Sequence, residues 1–278
     1  MAFKSILTVI GAEHGDGDVT LAAQLCSEAD AHLSVLVLGL PPTPVFTEFG
    51  PPMTDAWITA RAEDMKKIQA RASELNKILR SSEIPGVVNS EYPDSAIGDD
   101  VVGQHGRYAD LTVLGPELSS TPELRSRALQ GALFFSGRPV LPLPKSSRPS
   151  ITPRRVLIGW DAGLEAARAV RESLEMLKSA ERVTIAIVDP DPSYFGHGEE
   201  PGADIAAYLA RHGAKVTVDR LPREGRSTAD VLRRHAVDTA ADLIVLGAYG
   251  HSRIRDWIFG GVTKSMIEEP PVAVFMAR

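Results

Sequence analysis

The sequence predicts an α/β chain of two tandem domains, each a doubly wound, five-stranded, mainly parallel sheet with helices on both faces. Three observations carry that expectation. One segment occurs twice, since Ala109-Asp-Leu-Thr-Val-Leu-Gly115 matches Ala241-Asp-Leu-Ile-Val-Leu-Gly247 at an offset of 132 residues, and the register then holds, with Gly115 to Pro139 as long as Gly247 to Pro271. Short runs rich in Val, Ile and Leu alternate with longer amphipathic stretches, the pattern of buried parallel strands joined by crossover helices. The length of 278 residues supplies two domains that can each bury a core.

The elements follow in order. The first copy opens on Lys4-Ser-Ile-Leu-Thr-Val-Ile10, and the second on its counterpart Arg154-Arg-Val-Leu-Ile-Gly-Trp160. Between 39 and 60 the first copy carries an insertion in which Pro41, Pro42, Pro44, Pro51 and Pro52 stand with Phe46, Phe49 and Trp57. Neither a helical nor a strand period fits it, so it reads as a long loop, either packing its aromatics on the neighbouring copy or serving as a lid or partner surface. Each copy closes on a proline and an apolar strand, Val140 to Leu143 and Val272 to Met276. Pro142, Pro144, Ser146, Ser147, Pro149, Ser150 and Pro153 disfavour regular structure and mark a linker, which places the domains at 1–146 and 151–278. In the second copy strands are expected near 155–160, 183–188, 215–219, 242–247 and 272–276. Apolar residues at 166, 167, 170, 174 and 177 predict a helix over Leu164 to Lys178, and those at 231, 232 and 236 another over Ala229 to Thr239.

Composition narrows the function classes. An apolar fraction of 44% and a formal charge of −6 suit a soluble globular protein and argue against unspecific binding to nucleic acid or anionic lipid. Cys26, the single cysteine, has no partner for an internal disulfide and reads as core in a reducing compartment. No apolar run approaches the roughly 18 residues that would span a bilayer, and Ile6 to Ile10 is too short for the apolar core of a secretory signal. The expected location is the cytoplasm.

The chemistry gathers near the C-terminus. After the apolar run 242–247 come Gly247 and Gly250, nine residues, then Gly260, Gly261, Val262, Thr263 and Lys264. Glycines bring backbone close to a ligand, and the helix-forming stretch after Gly260 offers unpaired N–H groups, so the segment reads as a phosphate cradle. Open parallel sheets bind ligands beyond the carboxyl ends of their strands, where the strand order reverses. With the first strand of the second copy central, that reversal falls between it and the fourth strand, whose ends carry Asp161 and Gly247. Asp161 either accepts hydrogen bonds from a base or ribose or caps the helix beginning near Leu164. His251, Arg253, Arg255 and Lys264 add positive charge, as phosphate partners or as solvated loop residues. Trp257, Ile258 and Phe259 read as loop anchors.

Gly247-x-x-Gly250-x9-Gly260-Gly261-Val262-Thr263, on two strand–helix copies, resembles a tandem universal stress protein of the ATP-binding branch. The resemblance covers nearly the whole chain. It implies a flavodoxin-like, adenine-nucleotide α-hydrolase-like fold, a role in stress response or signalling, and ATP as ligand, with ADP or AMP and an accompanying magnesium ion as variants. Position by position, it implies that Asp161, Ile187, Val188, Leu246 and Gly247 surround adenine and ribose. Tyr249 and Gly250 would approach ribose and phosphates, and Gly260, Gly261, Val262 and Thr263 would wrap the phosphate tail. It also implies pairing of the copies as a pseudo-dimer through their terminal strands, with a homodimer or another protein as further partners. One departure stands out: Gly261 replaces the family's Ser or Thr, removing a hydroxyl donor worth about 1.5–3 kcal/mol.

In the first copy the cradle is filled. At the 132 offset Gly250 becomes Leu118, Gly260 becomes Ala128, Gly261 becomes Leu129 and Thr263 becomes Gly131, while Asp161 corresponds to Gly11. Residues 1 to 146 are therefore expected not to bind nucleotide by this mode. His14, Asp16 and Asp18, and likewise His197, Glu199 and Glu200, lack recognised metal-ligand spacing and read as solvated loop. No nucleophile elbow, P-loop or dinucleotide fingerprint occurs. Asp161 is the one carboxylate at the site, without the metal-holding acid and positioned base of phosphoryl transfer, so the chain reads as a binding protein rather than an enzyme. The rival functions are an interaction scaffold without nucleotide and a slow ATP hydrolase.

Overall fold

The computed structural model describes residues 3–41, 55–81, 84–145, 148–190, 200–249 and 261–278. They form two compact units, Phe3–Gly137 and Arg138–Arg278.

In the N-terminal unit the elements are β1 (Ser5–Ile10), α1 (Gly17–Ala29), β2 (His32–Leu38), α2 (Asp55–Ser81), β3 (Gly86–Glu91), α3 (Gly98–Gly106), β4 (Leu111–Leu114) and α4 (Pro122–Gln130). The strands are all parallel in the order β3-β2-β1-β4. β1 is central, and Ile6, Leu7, Val9 and Ile10 are buried on both of its faces, which is why its sequence is continuously apolar rather than alternating. Residues 55–60, expected within the insertion loop, enter α2, because beyond Pro52 the chain holds neither proline nor glycine until Pro85. The rest of the insertion, 42–54, lies outside the described residues.

The C-terminal unit contains β5 (Val140–Pro142), β6 (Arg155–Gly159), α5 (Leu164–Glu172), α6 (Leu174–Ser179), β7 (Arg182–Val188), α7 (Ala203–Arg211), β8 (Val216–Leu221), α8 (Thr228–Asp238), β9 (Leu243–Gly247), α9 (Gly261–Glu268) and β10 (Ala273–Ala277). Its order is β5-β10-β9-β6-β7-β8, parallel except for β5, which runs antiparallel on β10 with Val140 opposite Met276. The helices flank the sheet on both sides. The five strands predicted in this half stand within a residue or two of their expected bounds.

Two local details have clear causes. The helix expected over Leu164 to Lys178 divides at Ser173, a fully buried residue whose hydroxyl donates to the carbonyls of Ala169 (2.8 Å) and Val170 (3.2 Å) and so competes with the helical ladder. The aspartate of the repeated Ala-Asp-Leu segment has a structural task in each unit. Asp110 accepts from the N–H groups of Lys4 (2.8 Å) and Ser5 (3.1 Å) at the start of β1. Asp242 accepts from those of Arg154 and Arg155, both at 2.9 Å, at the start of β6.

Candidate functional site

The chain runs β6, β7, β8 toward one edge and then crosses to β9 and β10 on the other side of β6, so the strand order reverses between β6 and β9. Gly159 lies opposite Leu246 at their carboxyl ends. This is where an open parallel sheet leaves a crevice, because the two crossovers depart to opposite faces. On one lip stands Asp161, exposed, its Oδ1 accepting from the N–H of Gly163 at 2.9 Å and so shaping the entry to α5. On the other lip stand Leu246, Gly247, Ala248 and Tyr249.

Backbone strain concentrates at these ends. Among the described residues six other than glycine have positive φ, and three of them follow β6, β7 and β9: Ala162 (59°), Asp189 (47°) and Tyr249 (64°). Alanine and tyrosine do not adopt this region on their own preference, and such conformations collect where a site dictates the backbone. Nothing in the residue types signalled them. Asp189 is fastened by Arg223, whose Nε donates to Oδ2 at 2.7 Å and whose backbone N–H donates to Oδ1 at 3.0 Å, and these bonds hold its carboxyl below the ordinary range. That pairing ties the ends of β7 and β8 beside Val188, while Ile187 is wholly buried.

The glycines differ in what they permit. A Cβ on Gly247 would lie 2.4 Å from the backbone nitrogen of Ala166 and 2.7 Å from the carbonyl carbon of Glu165. This glycine therefore lets the first turn of α5 press against β9, a tertiary need that spacing in one segment could not reveal. A Cβ on Gly261, at the start of α9, would meet nothing within 4 Å among the described residues. Thr263 is buried, with its Oγ1 3.4 Å from the N–H of Tyr249, so its hydroxyl faces inward. The Tyr249 ring is buried too, and burial raises its phenol pKa. Lys264 is exposed and pairs with Glu268 at 3.8 Å. α9 is anchored by Arg233 of α8, which donates to the Ser265 hydroxyl at 2.7 Å and to the backbone carbonyls of Ser265 and Glu269. α8 itself is N-capped by Ser227, whose hydroxyl oxygen accepts from the N–H of Asp230 at 3.1 Å and donates its proton to the Asp230 carboxylate at 2.6 Å. Asp161, Ile187, Val188, Leu246, Gly247, Tyr249, Gly261, Val262 and Thr263 are thus placed at or near three strand ends and one helix start. Gly250 and Gly260 lie outside the described residues, as do His251, Arg253, Arg255, Trp257, Ile258 and Phe259, and His197 and Glu199 of the earlier loop.

The corresponding place in the N-terminal unit is occupied from within. The carboxylate of Asp18, on the first turn of α1, accepts from the N–H of Glu117 at 3.1 Å. Glu117 and Leu118 are the counterparts of Tyr249 and Gly250. A Cβ on Gly115 would strike this carboxyl group at 2.1 Å. Asp18 is fully buried and its Oδ2, like Oε2 of Glu117, has no partner among the described residues. Burial and the neighbouring Glu117 charge push its pKa from 3.8 to about 6, against the opposing N–H groups of Glu117 and Leu118. Among the described residues no cluster of three or more His, Cys, Asp or Glu side chains is placed to hold a metal ion, and no helix is long and apolar enough to cross a membrane.

Residues 152–278 match the model of the universal stress protein family. No curated protein matches the chain. Among solved structures, a universal stress protein from Archaeoglobus fulgidus DSM 4304 aligns over 98% of this chain and 96% of its own, at 15% identity and a TM-score of 0.68. A functionally unknown protein from Pseudomonas aeruginosa PAO1 aligns over 99% and 92%, at 17% identity and a TM-score of 0.57. These two likenesses extend the fold to the N-terminal unit.

Proposed function

Residues 152–278 belong to the universal stress protein family, and from that premise we propose that this half binds an adenine nucleotide, ATP or a relative, in the crevice between β6 and β9. The observation that carries the reading is the reversal of strand order, with Asp161 on one lip, Gly247 to Tyr249 on the other and the start of α9 beyond. Asp161 and the end of β7 would take adenine and ribose. The first-turn N–H groups of α9, which a helix leaves without intrahelical partners, would take phosphate, since a helix start carries partial positive charge and a Cβ on Gly261 would meet none of the described residues. Magnesium would arrive with the phosphates. The N-terminal unit takes no part, because the Asp18 carboxylate already holds an N–H group of its cradle.

The inward hydroxyl of Thr263, together with Gly261, leaves the phosphate region without a hydroxyl donor among the described residues, and this favours a second reading, an interaction scaffold without nucleotide. Calorimetric titration with ATP, beside mass spectrometry of whatever the denatured protein releases, separates them. The binding reading expects about one nucleotide per chain, lost in Gly250→Leu, which imitates Leu118, and retained in Leu118→Gly. An empty wild type that gives no heat with ATP sinks it in favour of the scaffold.

A further inference from the structure

The N-terminal unit carries its own cavity, of about 240 Å³, at the carboxyl ends of β1, β2 and β3 and beside the start of α4. That is roughly the share of eight water molecules in the liquid, enough for a ligand of similar non-hydrogen count. One part of its wall is apolar, formed by Leu38, Leu40, Ile68 and Leu124, and the rest carries polar and charged side chains. The position that carries Asp161 in the other half is Gly11, and a Cβ there would stand 3.0 Å from Leu124 and 3.3 Å from the His14 ring. Hydrocarbon and a neutral ring fill the place of the carboxylate.

His14 contributes no charge. The N–H of Gly11 donates to its Nδ1 at 3.0 Å, so its proton sits on Nε2 and is donated to Thr121 Oγ1 at 3.0 Å; burial lowers its pKa further. Thr121 keeps its own hydroxyl proton to give. The charged groups stand close together: the Lys67 ammonium is 3.4 Å from Glu13 and 3.9 Å from Asp64, and Asp64 also accepts from the Tyr92 hydroxyl at 3.1 Å. Glu123 adds a further carboxylate at the rim. A phosphate would face three carboxylates here, and a simple cation would face Lys67. A ligand with adjacent opposite charges meets neither objection.

We propose that this cavity binds a free α-amino acid with an apolar side chain. Its carboxylate pairs with Lys67, the Thr121 hydroxyl and the backbone N–H groups of Glu123 and Leu124 in the first turn of α4, where Pro122 has none to give. Its ammonium pairs with Asp64 and Glu13, and its side chain lies against Leu38, Ile68 and Leu124. The inference is independent of nucleotide binding in the other half.

The test is calorimetric titration of the full chain with L-leucine, isovalerate and isoamylamine, the last two each lacking one of the charged groups. L-Leucine is expected to bind saturably, and the two analogues at least tenfold more weakly. Lys67→Met and Asp64→Asn, at partly exposed positions, should each weaken L-leucine at least tenfold while leaving the melting temperature near wild type. Asp161→Asn should leave it unchanged. Absence of saturable heat with L-leucine, L-valine and L-phenylalanine overturns the proposal, as does binding that survives both substitutions or that isoamylamine reproduces.

Discussion

Asp18 is buried where an ionised carboxylate is poorly served: one oxygen accepts an N–H, the other is orphaned, and Glu117 stands nearby. Its folded pKa lies above its unfolded value, so the neutral form is favoured on folding. The stability it contributes is fully present below about pH 4 and is lost as pH rises through about 6. Asp18→Asn keeps an acceptor for the Glu117 N–H and removes the charge, so the variant should be more stable than wild type above pH 6 and show a flatter stability profile between pH 4 and 6 in denaturant titrations. A wild-type profile already flat across that window would count against a buried ionisable Asp18. Cys26 is a simpler case. Burial pushes its thiol up to about 12, so thiol reagents at pH 8 should label the chain only after denaturation.

At the scale of elements, the two glycines that frame the described part of the site should respond oppositely. Gly247→Ala would drive a methyl into the backbone of α5, and overpacking of this kind should cost about 1–3 kcal/mol in a denaturant melt. Gly261→Ser meets none of the described residues and restores the hydroxyl of the pattern that the sequence resembles, so it should leave stability near wild type. A regained hydrogen bond to phosphate, about 1.5–3 kcal/mol, should tighten ATP at least tenfold by titration. Unchanged affinity in Gly261→Ser would remove that hydroxyl from the account of the site. Both glycines were legible as a motif, yet their separate reasons were not, because one is set by a helix that follows a different strand. The division of the expected helix at Ser173 was hidden likewise: a serine signals competition with the ladder only once its hydroxyl is known to be buried.

Across the whole molecule, the two units share one strand order, third-second-first-fourth, and the C-terminal unit extends it with β10 and an antiparallel β5. β5 gives β10 a partner on its outer side, and an uncovered edge invites association. A fragment 148–278, which lacks β5, should therefore melt lower or self-associate more than a fragment 138–278 in thermal melts and size-exclusion chromatography; equal behaviour would deny β5 that role.

The sequence by itself determined the architecture and pointed to a candidate site, because continuous apolar runs, their alternation with helical periods and the Gly247–Thr263 spacing are local properties of the chain. Tertiary structure decided the rest. Whether Gly247 serves α5 or a ligand, whether Thr263 faces in or out, how Asp18 comes to sit on the first cradle, and why Ala162, Asp189 and Tyr249 take positive φ all depend on which distant segment lies against each residue. That proximity is created by packing, and no local pattern encodes it.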